Sequence, residues 1–89
     1  MSIATDNIDM QKSLFTIQQK RLQTLLRQIR LDAGLTQLDL AQRVGKPQSF
    51  VSKYESGERR LDILELRSLC KAVDITLEQF VAKLEQRLP

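Results

Sequence analysis

Eighty-nine residues, 42% of them hydrophobic and 28% charged, are enough for one modest core and too few for two. No stretch reaches the apolar length of a membrane span, and the polar start from Met1 to Gln11 lacks the form of a secretory signal. There is no His, and the single cysteine, Cys70, allows neither an internal disulfide nor a Cys-rich zinc site, so a reducing cytoplasm is the expected compartment.

Residues 1–13 show no hydrophobic period and are expected as a mobile arm ahead of one domain over 14–89. The first helix is predicted over 16–33, with a start as early as Leu14, because Phe15 falls on the face of Leu22. Leu22, Leu26 and Ile29 share that face, with Leu25 on its flank. Gly34, Gly45 and Gly57 are the three glycines, and each follows a helical pattern, where glycine accepts the left-handed stop. Thr36-Gln37-Leu38-Asp39 has the form of a capping box and opens a second helix over 36–44. A third is predicted over 47–56, with Pro47 at its first position, where a missing N–H costs nothing. Asp62 to Glu65 and Thr76 to Gln79 repeat the capping-box form and open helices over 62–73 and 76–87. Ile63, Leu66, Leu69, Cys70 and Val73 line the fourth helix; Leu77, Phe80, Val81, Leu84 and Leu88 line the fifth. No segment alternates with period two, so the expected fold is all-α with five helices.

The net charge of +3 has one location. Residues 43–60 hold Arg43, Lys46, Lys53, Arg59 and Arg60 against Glu55 and Glu58, while the other residues balance to zero. Such a patch is an electrostatic footprint for a polyanion. It coincides with the second and third helices, joined by Gly45-Lys46-Pro47, a link short enough to make them cross steeply as a helix-turn-helix. On a wheel of the third helix, Val51 and Tyr54 point inward and Phe50 lies on the flank. Ser49, Ser52, Lys53 and Ser56 point outward, with Gln48 at the margin. A solvated polar face is the ordinary reading of such a helix, but the charge window and the two-helix geometry turn it toward DNA. Gln suits adenine, Ser either kind of base edge, and Lys guanine or a phosphate. Glu55 sits about 40° from Val51 at the edge of the inner face, and Arg30 about 40° from Leu26 on the first helix. A partly buried carboxylate needs a partner, so an Arg30–Glu55 pair is expected to hold these helices together.

The string Arg30-x-x-x-Gly34-Leu35-Thr36-Gln37-x-x-Leu40-Ala41-x-x-Val44-Gly45, followed by Gln48-Ser49-x-Val51-Ser52-Lys53-Tyr54-Glu55-Ser56-Gly57, resembles the lambda-repressor/Cro-type (XRE) helix-turn-helix family. The likeness continues through Arg59-Arg60-Leu61-Asp62 to about Ile75. It implies a compact, lambda-repressor-like domain that binds double-stranded DNA. Gln48, Ser49 and Lys53 would then contact base edges, and Ser52 bases or backbone. Gln37 would bond a phosphate and brace the first recognition residue. Lys46, Arg59 and Arg60 would follow the DNA backbone, and Arg30 with Glu55 matches a structural ion pair. Pro47 departs from the family's capping Ser or Thr. The resemblance also implies a homodimer through the C-terminal helices, and the surplus apolar face of Val81, Leu84 and Leu88 on the fifth helix is its expected interface.

The function expected is a sequence-specific transcriptional regulator, a repressor by type. An antitoxin that binds a partner toxin as well as DNA is the alternative, with residues 1–13 or the exposed face of the fifth helix as the partner surface. No enzyme is expected: there is no His, Cys70 lies on a core face, and no carboxylate pair shares a cleft. No cofactor, metal or membrane partner is expected either.

Overall fold

Residues 2–89 are described by a computed structural model, with side chains from Ser13 onward. The helices are α1 (Ser2–Asp32), α2 (Gln37–Val44), α3 (Gln48–Ser56), α4 (Ile63–Ala72) and α5 (Leu77–Arg87), and no strand occurs among the described residues. Helices α2, α4 and α5 each open on a formed capping box. Thr36 accepts from the Asp39 N–H, Asp62 from Glu65 and Thr76 from Gln79, and each N3 side chain bonds back to the cap N–H. Helix α3 has no such device. Pro47 is its N-cap, with φ −69° and ψ 157°, and no side chain caps it. The expected place for Pro47, first position of the helix, is therefore one residue too far inside. Its carbonyl instead accepts the first turn's bond from the Phe50 N–H at 3.0 Å.

The stops follow backbone chemistry. After α1 and α2, an N–H two or three residues past the helix reaches back five positions: Leu35 to the Arg30 carbonyl at 3.2 Å and Lys46 to Ala41 at 2.9 Å. After α4 the same turn closes with Ile75 to Cys70 at 3.0 Å, but the left-handed residue is Asp74, at φ 62°. Gly57 is favoured by its backbone, and a side chain there would also displace a neighbour. Its φ is 88°, and a Cβ there would collide with the Gln23 side chain of α1.

Helix α1 runs 31 residues, about 46 Å at 1.5 Å per residue, twelve residues further toward the N-terminus than the earliest expected start at Leu14. The chain holds no Gly or Pro between Ser2 and Asp32 to break it, so the backbone of 2–13, expected as an arm, continues the helix. Leu25, Leu26 and Ile29 of α1 meet Leu40, Ala41, Val51, Tyr54, Leu69, Cys70 and Phe80 in one buried cluster. Phe50 belongs to it too, rather than to a flank, packed edge-to-face on Tyr54 with ring centroids 5.5 Å apart. Ile63 does not belong: at the first turn of α4 it is 59% exposed. Cys70 is fully buried, which raises its thiol pKa above the ordinary value. Among the described residues no helix is long and apolar enough to cross a membrane, and no group of His, Cys, Asp or Glu could hold a metal ion.

Candidate nucleic-acid interface

Helix α3 is fixed from inside. Val51 and Tyr54 anchor it in the core, and burial pushes the Tyr54 hydroxyl well above its ordinary pKa. At its edge, Arg30 Nε donates to Glu55 Oε2 at 2.7 Å and Arg30 Nη2 to Glu55 Oε1 at 2.9 Å. Arg30 Nη1 donates to the Leu35 carbonyl at 2.9 Å. The Arg30 and Glu55 side chains are only 8% and 5% exposed, and the Glu55 contact holds the guanidinium protonated above its ordinary pKa. Gln37, from the first turn of α2, donates Nε2 to Glu55 Oε1 at 3.1 Å. The Gln37 amide thus braces Glu55. Three helices converge on one carboxylate.

The outer face of α3 carries Gln48, Ser49 and Lys53, all exposed, and the half-buried Ser52. Ser52 Oγ donates to the Ser49 carbonyl at 3.3 Å. Lys46, in the turn before α3, is exposed and 5.8 Å over the Phe50 ring; Arg60, in the loop after α3, is exposed and 5.1 Å over the Phe15 ring of α1. Neither they nor Lys53 has a carboxylate partner among the described residues.

Arg59 differs from the expectation of a free backbone contact. Its guanidinium forks onto Glu65, Nη1 to Oε1 at 3.1 Å and Nη2 to Oε2 at 2.7 Å, and stacks 4.7 Å over Phe50. The Arg59 contact first, then the Asp62 backbone N–H, lower the Glu65 pKa to about 2. Arg43 donates to the Ala72 carbonyl at 2.9 Å, closing the end of α4. The two ion pairs cancel Glu55 and Arg59, so the local surplus rests on Arg43, Lys46, Lys53 and Arg60 against Glu58, and is again +3. Sequence reasoning missed Glu65 and Phe50 at this surface. Glu65 was visible as the last residue of a capping box, but nothing local to the chain marks its second bond.

Of the residues expected at a dimer interface, Val81 is 43% exposed. Leu84 is half-buried against the core, and Leu88 is half-buried at the C-cap of α5.

The helix-turn-helix family model matches residues 26–80. A solved structure of an XRE-family like protein from Pseudomonas syringae pv. tomato is 40% identical, with TM-score 0.81, over 91% of this chain and 99% of its own. The wild-type restriction-modification controller protein C.Esp1396I is 25% identical, with TM-score 0.73, over 80% of this chain and 92% of its own. A mutant of that controller bound to its highest affinity operator site is 27% identical, with TM-score 0.72, over 80% of this chain and 93% of its own. No curated protein sequence matches the chain. The family match spans more than half of the chain and includes the whole of α2, α3 and the ion pairs around them, so this chain belongs to the XRE-type helix-turn-helix family.

Proposed function

We propose that the chain is a sequence-specific double-stranded DNA-binding protein that regulates transcription by repression, in the cytoplasm, with α3 in the major groove. The observation that carries this is the outer face of α3. Gln48, Ser49 and Lys53 stand exposed on a helix fixed by a buried fork, with the unpaired cation Lys46 just before that helix in the chain and Arg60 just after it. Gln48, Ser49, Ser52 and Lys53 read base edges; Lys46 and Arg60 meet phosphates. Gln37, at the first turn of α2, donates one Nε2 proton to Glu55 and has a second to offer a phosphate. A domain seated on a promoter represses by occupying it. The relative bound to its operator supports the DNA reading by analogy.

One module makes two or three base contacts, each discriminating by about 1–3 kcal/mol, so useful specificity calls for two copies on half-sites about one DNA turn apart. We place the homodimer on the groove between α4 and α5, where Ile75, Leu77 and Val81 lie between Arg67 and Lys71 on one side and Glu78 on the other. A two-fold axis sets the basic side of one copy on the acidic side of the other. This moves the interface from Leu84 and Leu88 toward Val81. Val81→Asp is expected to give monomers by sedimentation where the parent is a dimer; an unchanged dimer would remove this interface.

Selection of bound duplexes from a random pool tests the whole reading. Two related half-sites in inverted order are expected, and no enrichment would end the proposal. Lys53→Ala and Ser49→Ala should each re-rank the selected sites. The exposed Leu14, Phe15 and Ile17 on α1 favour one further reading, the antitoxin, with a toxin seated there. Co-purification of a small toxic protein with the parent and not with Phe15→Asp would support it.

A further inference from the structure

The loop between α3 and α4 carries two adjacent arginines, and the structure treats them oppositely. Arg60 is exposed, whereas Arg59 is forked onto Glu65. Glu65 Oε1 accepts a second bond, from the Asp62 backbone N–H at 3.0 Å, and the Glu65 N–H donates to Asp62 Oδ1 at 2.7 Å. Held this way, the Arg59 guanidinium lies 4.7 Å over the Phe50 ring, and Arg59 Nη1 also donates to the Arg60 carbonyl at 2.9 Å. The Arg59 backbone N–H donates to the Lys53 carbonyl at 3.2 Å. One carboxylate therefore connects the first turn of α4, both loop arginines and Phe50 in the first turn of α3. That first turn has no side-chain cap.

We infer that Glu65 is a positioning residue for DNA binding. It holds Arg59 on Phe50, in place of the missing cap on α3, and through the Arg60 carbonyl it sets where Arg60 presents its charge to a phosphate. The inference rests on the DNA-binding reading above. It carries a sign that simple electrostatics does not. Glu65 is an acid beside a surface of surplus positive charge, and charge alone says that removing it strengthens binding to a polyanion. A positioning role says that removing it weakens binding.

The test titrates the parent, Glu65→Gln, Arg59→Gln, their double variant and Arg60→Gln with a labelled random-sequence duplex over a range of salt, with a thermal melt of each protein. Glu65→Gln and Arg59→Gln should each weaken binding about threefold to fivefold, the upper range for a partly exposed pair. The double variant should be no weaker than either single one, because the two residues act as a unit. Arg60→Gln should lower the slope of log affinity against log salt by about one unit. Glu65→Gln and Arg59→Gln should not lower it, since neither removes a group that touches phosphate. Glu65→Gln binding as tightly as the parent or more tightly would overturn the inference, and so would additive losses in the double variant. If Glu65→Gln melts below the assay temperature, Arg59→Lys decides, because it keeps the cation and loses the fork. A loss equal to that of Arg59→Gln supports positioning, and parent-like affinity overturns it. A parent that binds no duplex at any salt would sink the DNA-binding reading itself, a result seen before any variant is compared.

Discussion

The molecule contains two arginine–carboxylate forks of nearly the same geometry, and they sit in different solvents. Arg30–Glu55 closes at 2.7 Å with side chains 8% and 5% exposed; Arg59–Glu65 closes at 2.7 Å with side chains 40% and 21% exposed. Distance therefore says nothing about what each pair is worth. A buried pair is costly to break, because the partner left behind is a charge without water. An exposed pair loses little stability when broken, because water and salt replace the partner. Its value lies in geometry, in where it holds a loop and the first turn of a helix. The first fork belongs to the fold and the second to the surface the fold presents.

The largest effect should come from separating the partners of the first fork. Glu55→Ala leaves Arg30 buried and uncompensated, at a cost of about 3–5 kcal/mol, out of the roughly 5–15 kcal/mol that holds a small domain folded. Urea unfolding measures it. A loss within about 1 kcal/mol would mean that Arg30 finds water, and the contrast between the two forks would collapse. Replacing both partners together, Arg30→Met with Glu55→Leu, should cost much less than Glu55→Ala alone, because no charge is stranded.

Acid sharpens the comparison from the other side. The Glu65 pKa falls from 4.5 to about 2 in the folded protein. Its contribution is therefore complete above pH 4.5 and is lost as the pH drops from there toward 2. The difference in melting temperature between the parent and Glu65→Gln should be constant above pH 4.5 and shrink below it. A difference that grows on acidification would contradict the fork.

These two pairs also show which parts of the molecule were legible in the chain. Arg30 and Glu55 each sit at the edge of an apolar stripe, so helical periodicity alone brings them together. The three capping boxes were legible because both of their bonds close within four residues. Arg59 and Glu65 could not be paired in advance, since the loop between them has no period to project. Phe50 falls on the flank of the wheel for a related reason: a wheel of one short helix does not know that Arg59 covers the ring and Tyr54 packs on it. The start of α1 was missed because hydrophobic period records where a helix is docked, not how far it continues. From Leu22 onward α1 has neighbours on one face, whereas Leu14, Phe15 and Ile17 remain exposed.

Asp74 gives the fold an untapped margin. Among the described residues it is the one non-glycine with positive φ, at 62°, in the turn that directs α4 into α5. Left-handed backbone costs a side-chain-bearing residue about 1–2 kcal/mol, less for Asp, and the added freedom of glycine in the unfolded chain offsets part of any gain. Asp74→Gly should still raise the melting temperature by a few degrees while leaving duplex affinity unchanged, because Asp74 lies in neither fork and off the outer face of α3. The joint between α4 and α5 is thus a place to add stability without touching the face that reads DNA.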